Sequence, residues 1–440
     1  MTRNEAPHEP PTVLTIAGSD SGGGAGIQAD IKTIEAVGGF GTSAITSVTA
    51  QNTTGVQGSQ LLPIEHIEAQ IEAVIGDFDV QAAKTGMLAT SDVIETVVEY
   101  AADLPDLVVD PVMVAASGDR LLEPDGEEAY EELIAEATLV TPNADEAAVL
   151  TGIEPTDEQT AVEAGEEILD MGAEAALVKG GHIAGEDVMD VLVTDEDVRT
   201  FRHERIRTDA THGSGCTLSA AIATHLAQGE SLTDSVSRGI DLLARAVRYN
   251  LDVGEGPGGV HHLVEIRERA ARTETAEAVR RLVESFVERD VGSLIPEVGT
   301  NVVGATPFAE RIEEIAAVDG RLTRTRDGIA TGRGVRFGAS THAARYLLDA
   351  REIDADYRFA ANWRYDDAIG DALATLPGTV VTLDGPLTLE SGIEPALAGV
   401  EDPAVVVDPG GEGRVPVTIC LATSPKELVE RTEHLLVAVA

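Results

Sequence analysis

Only two of the 440 residues are cysteines, Cys216 and Cys420, so no disulfide framework holds the chain and a reducing compartment suits it. Lysine is almost absent. Lys32, Lys84, Lys179 and Lys426 are the only four among 31 basic residues, which face 77 acids for a net charge of −46. That sign argues against nucleic acid and anionic membrane as partners. The acidic, lysine-poor surface reads as the halophilic adaptation of a protein kept soluble in a salt-rich cytoplasm. No apolar run approaches the roughly 18 residues of a membrane span, and no secretory leader opens the sequence, so a cytoplasmic protein is expected. Aromatics make up 3% against 43% hydrophobic residues in all, which suits a core packed from Ala, Val and Leu, as in α/β layers. The length allows two or three such domains.

What is present centres on Thr208 to Gly229. Gly213-Ser214-Gly215 runs into an Ala-rich helix expected to open at Cys216. Glycine admits positive φ and close approach, and a helix start directs unpaired N–H groups and the positive dipole end at one point, so this turn is a candidate anion hole. A thiol in the first turn is also where a cysteine pKa is lowered, which makes Cys216 a candidate base as well as a small core residue. A plain tight turn fits the same Gly-x-Gly spacing.

Upstream, the apolar run Thr12 to Ala17 ends in a loop of five glycines between Gly18 and Gly26, then Ile27, Ile31, Ile34 and Val37 recur at helical spacing. Strand, Gly-rich loop and helix bring backbone against a small ligand, though not at dinucleotide spacing. Asp30, one turn into the helix, either points back at the loop or is solvated. Further apolar strands are expected at Ser43 to Thr49, Val80 to Lys84, Leu107 to Asp110, Thr138 to Thr141 and Ala175 to Lys179, with helices between them. This alternation predicts a mostly parallel sheet with helices on both faces. Ligands to such sheets bind at the strands' carboxyl ends, where Gln51, Lys84, Met87, Asp110, Glu146 and Lys179 are found. In a chain that elsewhere avoids lysine, Lys179, and less so Lys84, is expected to be kept for a phosphate. Asp110 and Glu146 are oxygen ligands suited to Mg²⁺. With the anion hole they describe phosphoryl transfer from a magnesium nucleotide.

Seven stretches in register, AGSDSGGGAGIQAD, TAQNTTGVQG, KTGML, VVDPVM, TPNADEA, VKGGH and THGSGCTLSAA, resemble the hydroxymethylpyrimidine/phosphomethylpyrimidine kinases of thiamine biosynthesis, which have the ribokinase-like fold. The resemblance covers about Pro11 to His262. It implies that ATP phosphorylates 4-amino-5-hydroxymethyl-2-methylpyrimidine to the monophosphate and then the diphosphate. It also implies that Asp30 and Gln51 hydrogen-bond the aminopyrimidine in a pocket lined by Gly18, Met87 and Val112. Lys179 would meet the ATP phosphates, Asp110 and Glu146 would serve Mg²⁺, and Gly213, Ser214, Gly215 and Cys216 would form the anion hole and base. A pyridoxal or sugar kinase of the same fold is the rival reading.

Asp252 to Gly259 (DVGEGPGG) punctuates the end of this domain. The adjacent His261 and His262 cannot face one way on a helix or strand, so a metal role is not expected. Leu263 to Val291 is helical, with Val279, Leu282, Val283, Phe286 and Val287 forming an apolar stripe. Beyond it a second α/β pattern contains Arg321 to Arg345, with six arginines and one acid, Asp327. Arginine is the bidentate binder of phosphate and diphosphate, so Arg324, Arg333 and Arg336 are candidate diphosphate ligands. Gly338 to His342 is expected to deliver an N-cap and a histidine to a helix start.

The stretches LIPEVGTNVVGATP, AAVDGRLTRT, GVRFGASTHAARYLLDA, AANWRYD and DPGGEGRVP, within about Thr273 to Ala440, resemble the ThiN-type thiamine-phosphate synthase domain. That implies coupling of the pyrimidine diphosphate to a thiazole phosphate with loss of pyrophosphate, and Arg321 and His342 are carried over as essential. The competing reading is a thiamine-phosphate sensor without chemistry. A homodimer is compatible with the sequence.

Overall fold

The computed structural model describes residues 8–113, 126–183, 185–385, 392–411 and 413–439. The chain divides into two compact units, Met1–Glu265 and Ile266–Ala440.

Among the described residues the first unit is built on nine strands: β1 (Thr12–Asp20), β2 (Phe40–Asn52), β3 (Gly55–Leu61), β4 (Val80–Thr85), β5 (Leu107–Val109), β6 (Leu139–Val140), β7 (Ala175–Val178), β8 (Asp187–Thr194) and β9 (Val198–Glu204). Their order is β3-β2-β1-β4-β5-β6-β7-β8-β9. The six strands from β2 to β7 in that order are parallel, while β3, β8 and β9 extend the edges by antiparallel pairing. Period-two alternation sends Leu14 and Ile16 to one face, against Ile67, Ile71, Ile94 and Val97, and Val13 to the other, against Ile34, Leu218 and Ile222. The second face is where alanine matters. Ala220, Ala221 and Ala223 let the helix Ser214–Ala227 lie close to the sheet, and it is buried from Thr217 to Leu226.

Local differences from the sequence reading have simple causes. That helix opens at Ser214 rather than Cys216, because Gly213 takes the left-handed N-cap conformation at φ 85°. The expected strand Thr138 to Thr141 pairs only at Leu139–Val140, and Asp110 and Lys179 fall just past their strands. Register aligns Thr15 of β1 with Lys84 of β4, and Lys84 with Val108 of β5, so the polar strand ends come out side by side.

The second unit holds β10 (Val302–Ala305), β11 (Ile315–Val318), β12 (Thr323–Thr325), β13 (Gly328–Ala330), β14 (Val335–Phe337), β15 (Phe359–Arg364), β16 (Thr379–Thr382), β17 (Pro403–Asp408) and β18 (Val417–Ala422). Seven form a sheet in the order β14-β11-β10-β15-β18-β17-β16, and β12 and β13 make a separate hairpin. Pairing is antiparallel except between β16 and β17. Helices Val264–Glu288 and Pro425–Ala438 supply residues to the core on one face, while Thr341–Ile353 packs on the other. Of the expected stripe, Val279, Leu282, Val283 and Phe286 are buried, and Phe286 meets Trp363 edge-on at 5.2 Å. Val287 is exposed, because the stripe turns away from the sheet before the helix ends at Glu288. Among the described residues no helix is long and apolar enough to cross a membrane.

Candidate active site

A cavity of about 670 Å³ opens at the carboxyl ends of the first unit's parallel strands and against the start of helix Ser214–Ala227. Gly18, Gln51, Met87, Asp110, Val112, Glu146 and Lys179 line it together with Gly213, Ser214, Gly215 and Cys216. All the first-unit candidates except Asp30 therefore line one cavity.

Asp30 is the correction. It neither points back at the glycine loop nor sits solvated, and it does not line the cavity. Its carboxylate is fully buried beneath the floor, accepting from Thr15 Oγ1 at 2.6 Å and from Lys84 Nζ at 3.0 Å through both oxygens. Lys84, fully buried but part of the cavity lining, is correspondingly not a surface cation. Burial alone would drive the Lys84 ammonium toward neutrality. The facing Asp30 carboxylate outweighs it and holds the lysine charged, above the ordinary lysine range.

At the helix start, a Cβ on Gly213 would lie 1.8 Å from the Gly24 carbonyl oxygen, so only glycine allows this turn to nest on the glycine loop. A Cβ on Gly215 would come to 3.4 Å from Asp110 Oδ2 and 3.5 Å from Lys179 Nζ, so its absence keeps space between backbone and charged groups. Lys179 Nζ donates to Asp110 Oδ1 at 2.9 Å, and Thr141 Oγ1 donates to the same oxygen at 3.2 Å. Burial opposes the Lys179 charge, but Asp110 and Glu146 prevail and keep the ammonium above its ordinary range. Glu146 closes a capping box with Asn143 at the start of helix Ala144–Thr151.

The thiol departs from the local rule. Burial pushes the Cys216 pKa up to about 11, against a lowering influence of Lys84, so the helix start does not leave a thiolate in the protein by itself.

No group of three or more His, Cys, Asp or Glu side chains among the described residues could hold a metal alone. Two carboxylates, Asp110 and Glu146, fit Mg²⁺ shared with phosphate oxygens and retained waters, the usual arrangement for that ion.

Two groups escaped the sequence reading. His212 Nε2 stands 3.1 Å from Asp20 Oδ2 and 3.3 Å from Gln51 Nε2, joining the glycine loop to the cavity wall. Both residues belong to the motif stretches quoted above, yet nothing in their spacing couples positions 192 apart. At the other end, Asp190 accepts from the Gly180 N–H at 2.8 Å and faces His203 at 3.4 Å, holding that imidazole's pKa above its ordinary value. Arg205 donates to the carbonyls of Gly181 at 2.7 Å and Ile183 at 2.6 Å, fixing the turn that follows Lys179.

In the second unit the arginine-rich stretch is surface. Arg321, Arg324, Arg333 and Arg336 are exposed; Arg321 donates to the Val298 carbonyl, and Arg336 lies 3.4 Å from Asp319. His342 is exposed in the first turn of helix Thr341–Ile353, after an N-cap Ser340 whose side chain makes no capping bond.

Residues 20–261 match the family described as Phosphomethylpyrimidine kinase, and residues 278–434 match Thiamine-phosphate synthase ThiN. The hydroxymethylpyrimidine/phosphomethylpyrimidine kinase of Streptomyces coelicolor is 46% identical over 60% of this chain and 98% of its own. The thiamine biosynthesis bifunctional protein ThiED of Geobacter sulfurreducens is 42% identical over 61% of this chain and 56% of its own. Among solved structures, the Staphylococcus aureus pyridoxal kinase in complex with AMP-PCP and pyridoxal is 31% identical, with a TM-score of 0.54 over 58% of this chain and 94% of that one. A ribokinase-like sheet with its cavity at the strand ends, and matches spanning more than half of the residues, agree: the chain belongs to the phosphomethylpyrimidine kinase family and carries a ThiN thiamine-phosphate synthase domain after the kinase.

Proposed function

We propose that the chain is a bifunctional enzyme of thiamine biosynthesis, with kinase residues about 11–262 and synthase residues about 273–440. The first part phosphorylates 4-amino-5-hydroxymethyl-2-methylpyrimidine with ATP, to the monophosphate and then the diphosphate. The second couples that diphosphate to thiazole phosphate, giving thiamine phosphate and pyrophosphate. The observation that carries the reading is the cavity, among the described residues, that Lys179, Asp110 and the Gly213–Cys216 helix start line together with Gln51, Met87, Gly18 and Val112. Charged and backbone groups suited to phosphates and small or apolar groups suited to a ring share one enclosure.

In this reading the backbone N–H groups at Gly215 and Cys216 meet the transferring phosphoryl group and Lys179 neutralises its oxygens, while the Ser214 N–H donates to the Thr211 carbonyl at 3.1 Å. Asp110 and Glu146 would hold Mg²⁺, which when bound supplies charge neutralisation between the phosphates. Phosphoryl transfer asks little of a base until the new bond is nearly formed. With its pKa at about 11 the Cys216 thiol is protonated in the protein by itself, so it accepts the hydroxymethyl proton only as a thiolate, formed by loss of its own proton to solvent once the charged ligands are bound. Asp30 acts through Lys84 rather than on the pyrimidine.

In the synthase part Arg321 neutralises the leaving diphosphate, with Arg324, Arg333 and Arg336 as further diphosphate ligands, and His342 shares that duty or holds the thiazole phosphate. Small molecules are the partners, in a halophilic cytoplasm, with the chain acting alone or as a homodimer. One incubation in high salt with the hydroxymethylpyrimidine, Mg-ATP and thiazole phosphate tests the whole. Thiamine phosphate and pyrophosphate are expected, and Arg321→Ala or His342→Ala should leave pyrimidine diphosphate accumulating. If the unaltered protein stops at the pyrimidine diphosphate, the second part is a sensor; coupling at the wild-type rate by both variants would refute the site.

A further inference from the structure

We propose that His212, anchored by Asp20, is a positioning residue that sets the amide of Gln51 for an aminopyrimidine edge. The inference rests on the reading that the first unit phosphorylates such a pyrimidine.

The anchor is unusually complete. Asp20, 3% exposed, accepts N–H bonds from Gly22 at 2.7 Å, Gly24 at 2.9 Å and Ala25 at 2.8 Å. Burial resists ionisation of its carboxyl, but these bonds and His212 overcome it and hold the group below the usual carboxylate range. A carboxylate so held presents only lone pairs, so the imidazole nitrogen 3.1 Å from it carries a proton. The ring cannot turn away easily, because it lies on Gly24, where a Cβ would come within 2.5 Å of His212 Cδ2.

That proton decides Gln51. The same Nε2–H lies 3.3 Å from one end of the Gln51 amide, so the matching atom there is the amide oxygen; an NH₂ group would set donor against donor. The other end agrees. Thr49 Oγ1 gives its one proton to the Ser19 carbonyl at 2.9 Å, leaving a lone pair that lies 3.4 Å from the far end of the amide and can accept from the NH₂. The structure sets Gln51 Nε2 against His212 and Oε1 against Thr49 Oγ1, and a half-turn of the amide from that setting satisfies both neighbours at once. His212 and Thr49 then each use one site of the amide and leave a lone pair beside an N–H for the cavity. Glutamine reads the adjacent amino group and ring nitrogen of adenine with this donor–acceptor pair, and a 4-aminopyrimidine carries the same edge. A pyridoxal ring, with no amino group beside its nitrogen, does not.

The test is steady-state kinetics of the full chain in high salt, with the aminopyrimidine and with an analogue bearing hydrogen in place of the amino group. His212→Phe keeps a flat ring without the donor. It should raise KM for the pyrimidine about tenfold, leave KM for ATP unchanged and erase most of the preference for the amino compound. His212→Gln, which can still donate, should retain most of that preference. In a Gln51→Ala background, His212→Phe should add nothing. An equal loss from His212→Phe in both backgrounds, or a loss falling on ATP, would overturn the proposal. Absence of pyrimidine phosphorylation by the unaltered chain would instead overturn the function it rests on.

Discussion

Replacing Asp30 separates a structural anchor from a substrate ligand. Its carboxylate and the Lys84 ammonium are both wholly buried, with each carboxylate oxygen 3.0 Å from Nζ. Asp30→Ala strands a buried cation, for which about 3–5 kcal/mol of lost stability is expected. Lys84→Met added to Asp30→Ala removes the stranded charge and fills the space with apolar atoms, so most of that loss should return. The pair's stabilisation follows Lys84, whose folded pKa is raised. The Lys84 contribution is fully present below the ordinary lysine pKa and lost as pH rises through the folded value, whereas burial raises the Asp30 carboxyl in spite of Lys84 and so offsets part of that contribution at neutral pH. The assay is urea unfolding in high salt followed by circular dichroism. Trp363 is the chain's only tryptophan and lies in the second unit, so its fluorescence reports that unit's transition separately. The expected pattern is an early first-unit transition in Asp30→Ala, recovery in the double variant and unchanged tryptophan fluorescence. Stability within about 1 kcal/mol of wild type in Asp30→Ala, with only the pyrimidine KM raised, would refute the anchor and return Asp30 to the substrate.

Three further outcomes follow from the site. Because desolvation lifts the pKa of the half-buried Cys216 to about 11, its alkylation by iodoacetamide should still be accelerating above pH 9 instead of levelling near an ordinary thiol value, and a plateau by pH 9 would contradict the raised pKa. His262 is driven down to about 4, by burial first and by Lys32 next, so its neutral form contributes stability above about pH 6.5. That contribution, about 3 kcal/mol, is lost as pH falls toward 4, and in His262→Leu the first unit's thermal midpoint should fall less over the same range. Gly213→Ala meets both a left-handed backbone and the Gly24 carbonyl; kcat should fall at least a hundredfold, and wild-type turnover would show that the helix start is not where transfer occurs.

The alternation of apolar runs and helical spacing made the first sheet legible, because a parallel strand buried on both faces must be apolar along its length. Its antiparallel edges were harder to read. β3 is largely exposed and polar, and β8 and β9 are a hairpin rather than a strand followed by a helix. The strand-end motifs converge on one cavity for a reason that sequence contains, since each apolar run stops where its polar residues begin. What each polar group does there depends on what stands opposite. Asp30 read as a ligand or a solvated carboxylate because nothing local shows that β1 and β4 set Thr15 and Lys84 side by side above it. Cys216 read as an activated thiol because the helix-start rule is local, whereas the packing that half-buries it in the cavity wall comes from the whole sheet.

His212 and Asp20 carry the same lesson in the other direction. Both stand inside recognisable motifs, and their pairing appears only when Gly213 nests on the Gly24 carbonyl and brings the first loop to the start of helix Ser214–Ala227. Glycine at these two positions thus does more than permit a turn. It sets the distance at which an aspartate from one end of the unit can fix a histidine, and through it a glutamine, at the other. Among the described residues of the second unit, Arg321, Arg324, Arg333 and Arg336 are exposed, and their reading as diphosphate ligands rests on the sequence pattern, because an exposed guanidinium gains its partners only when a ligand arrives.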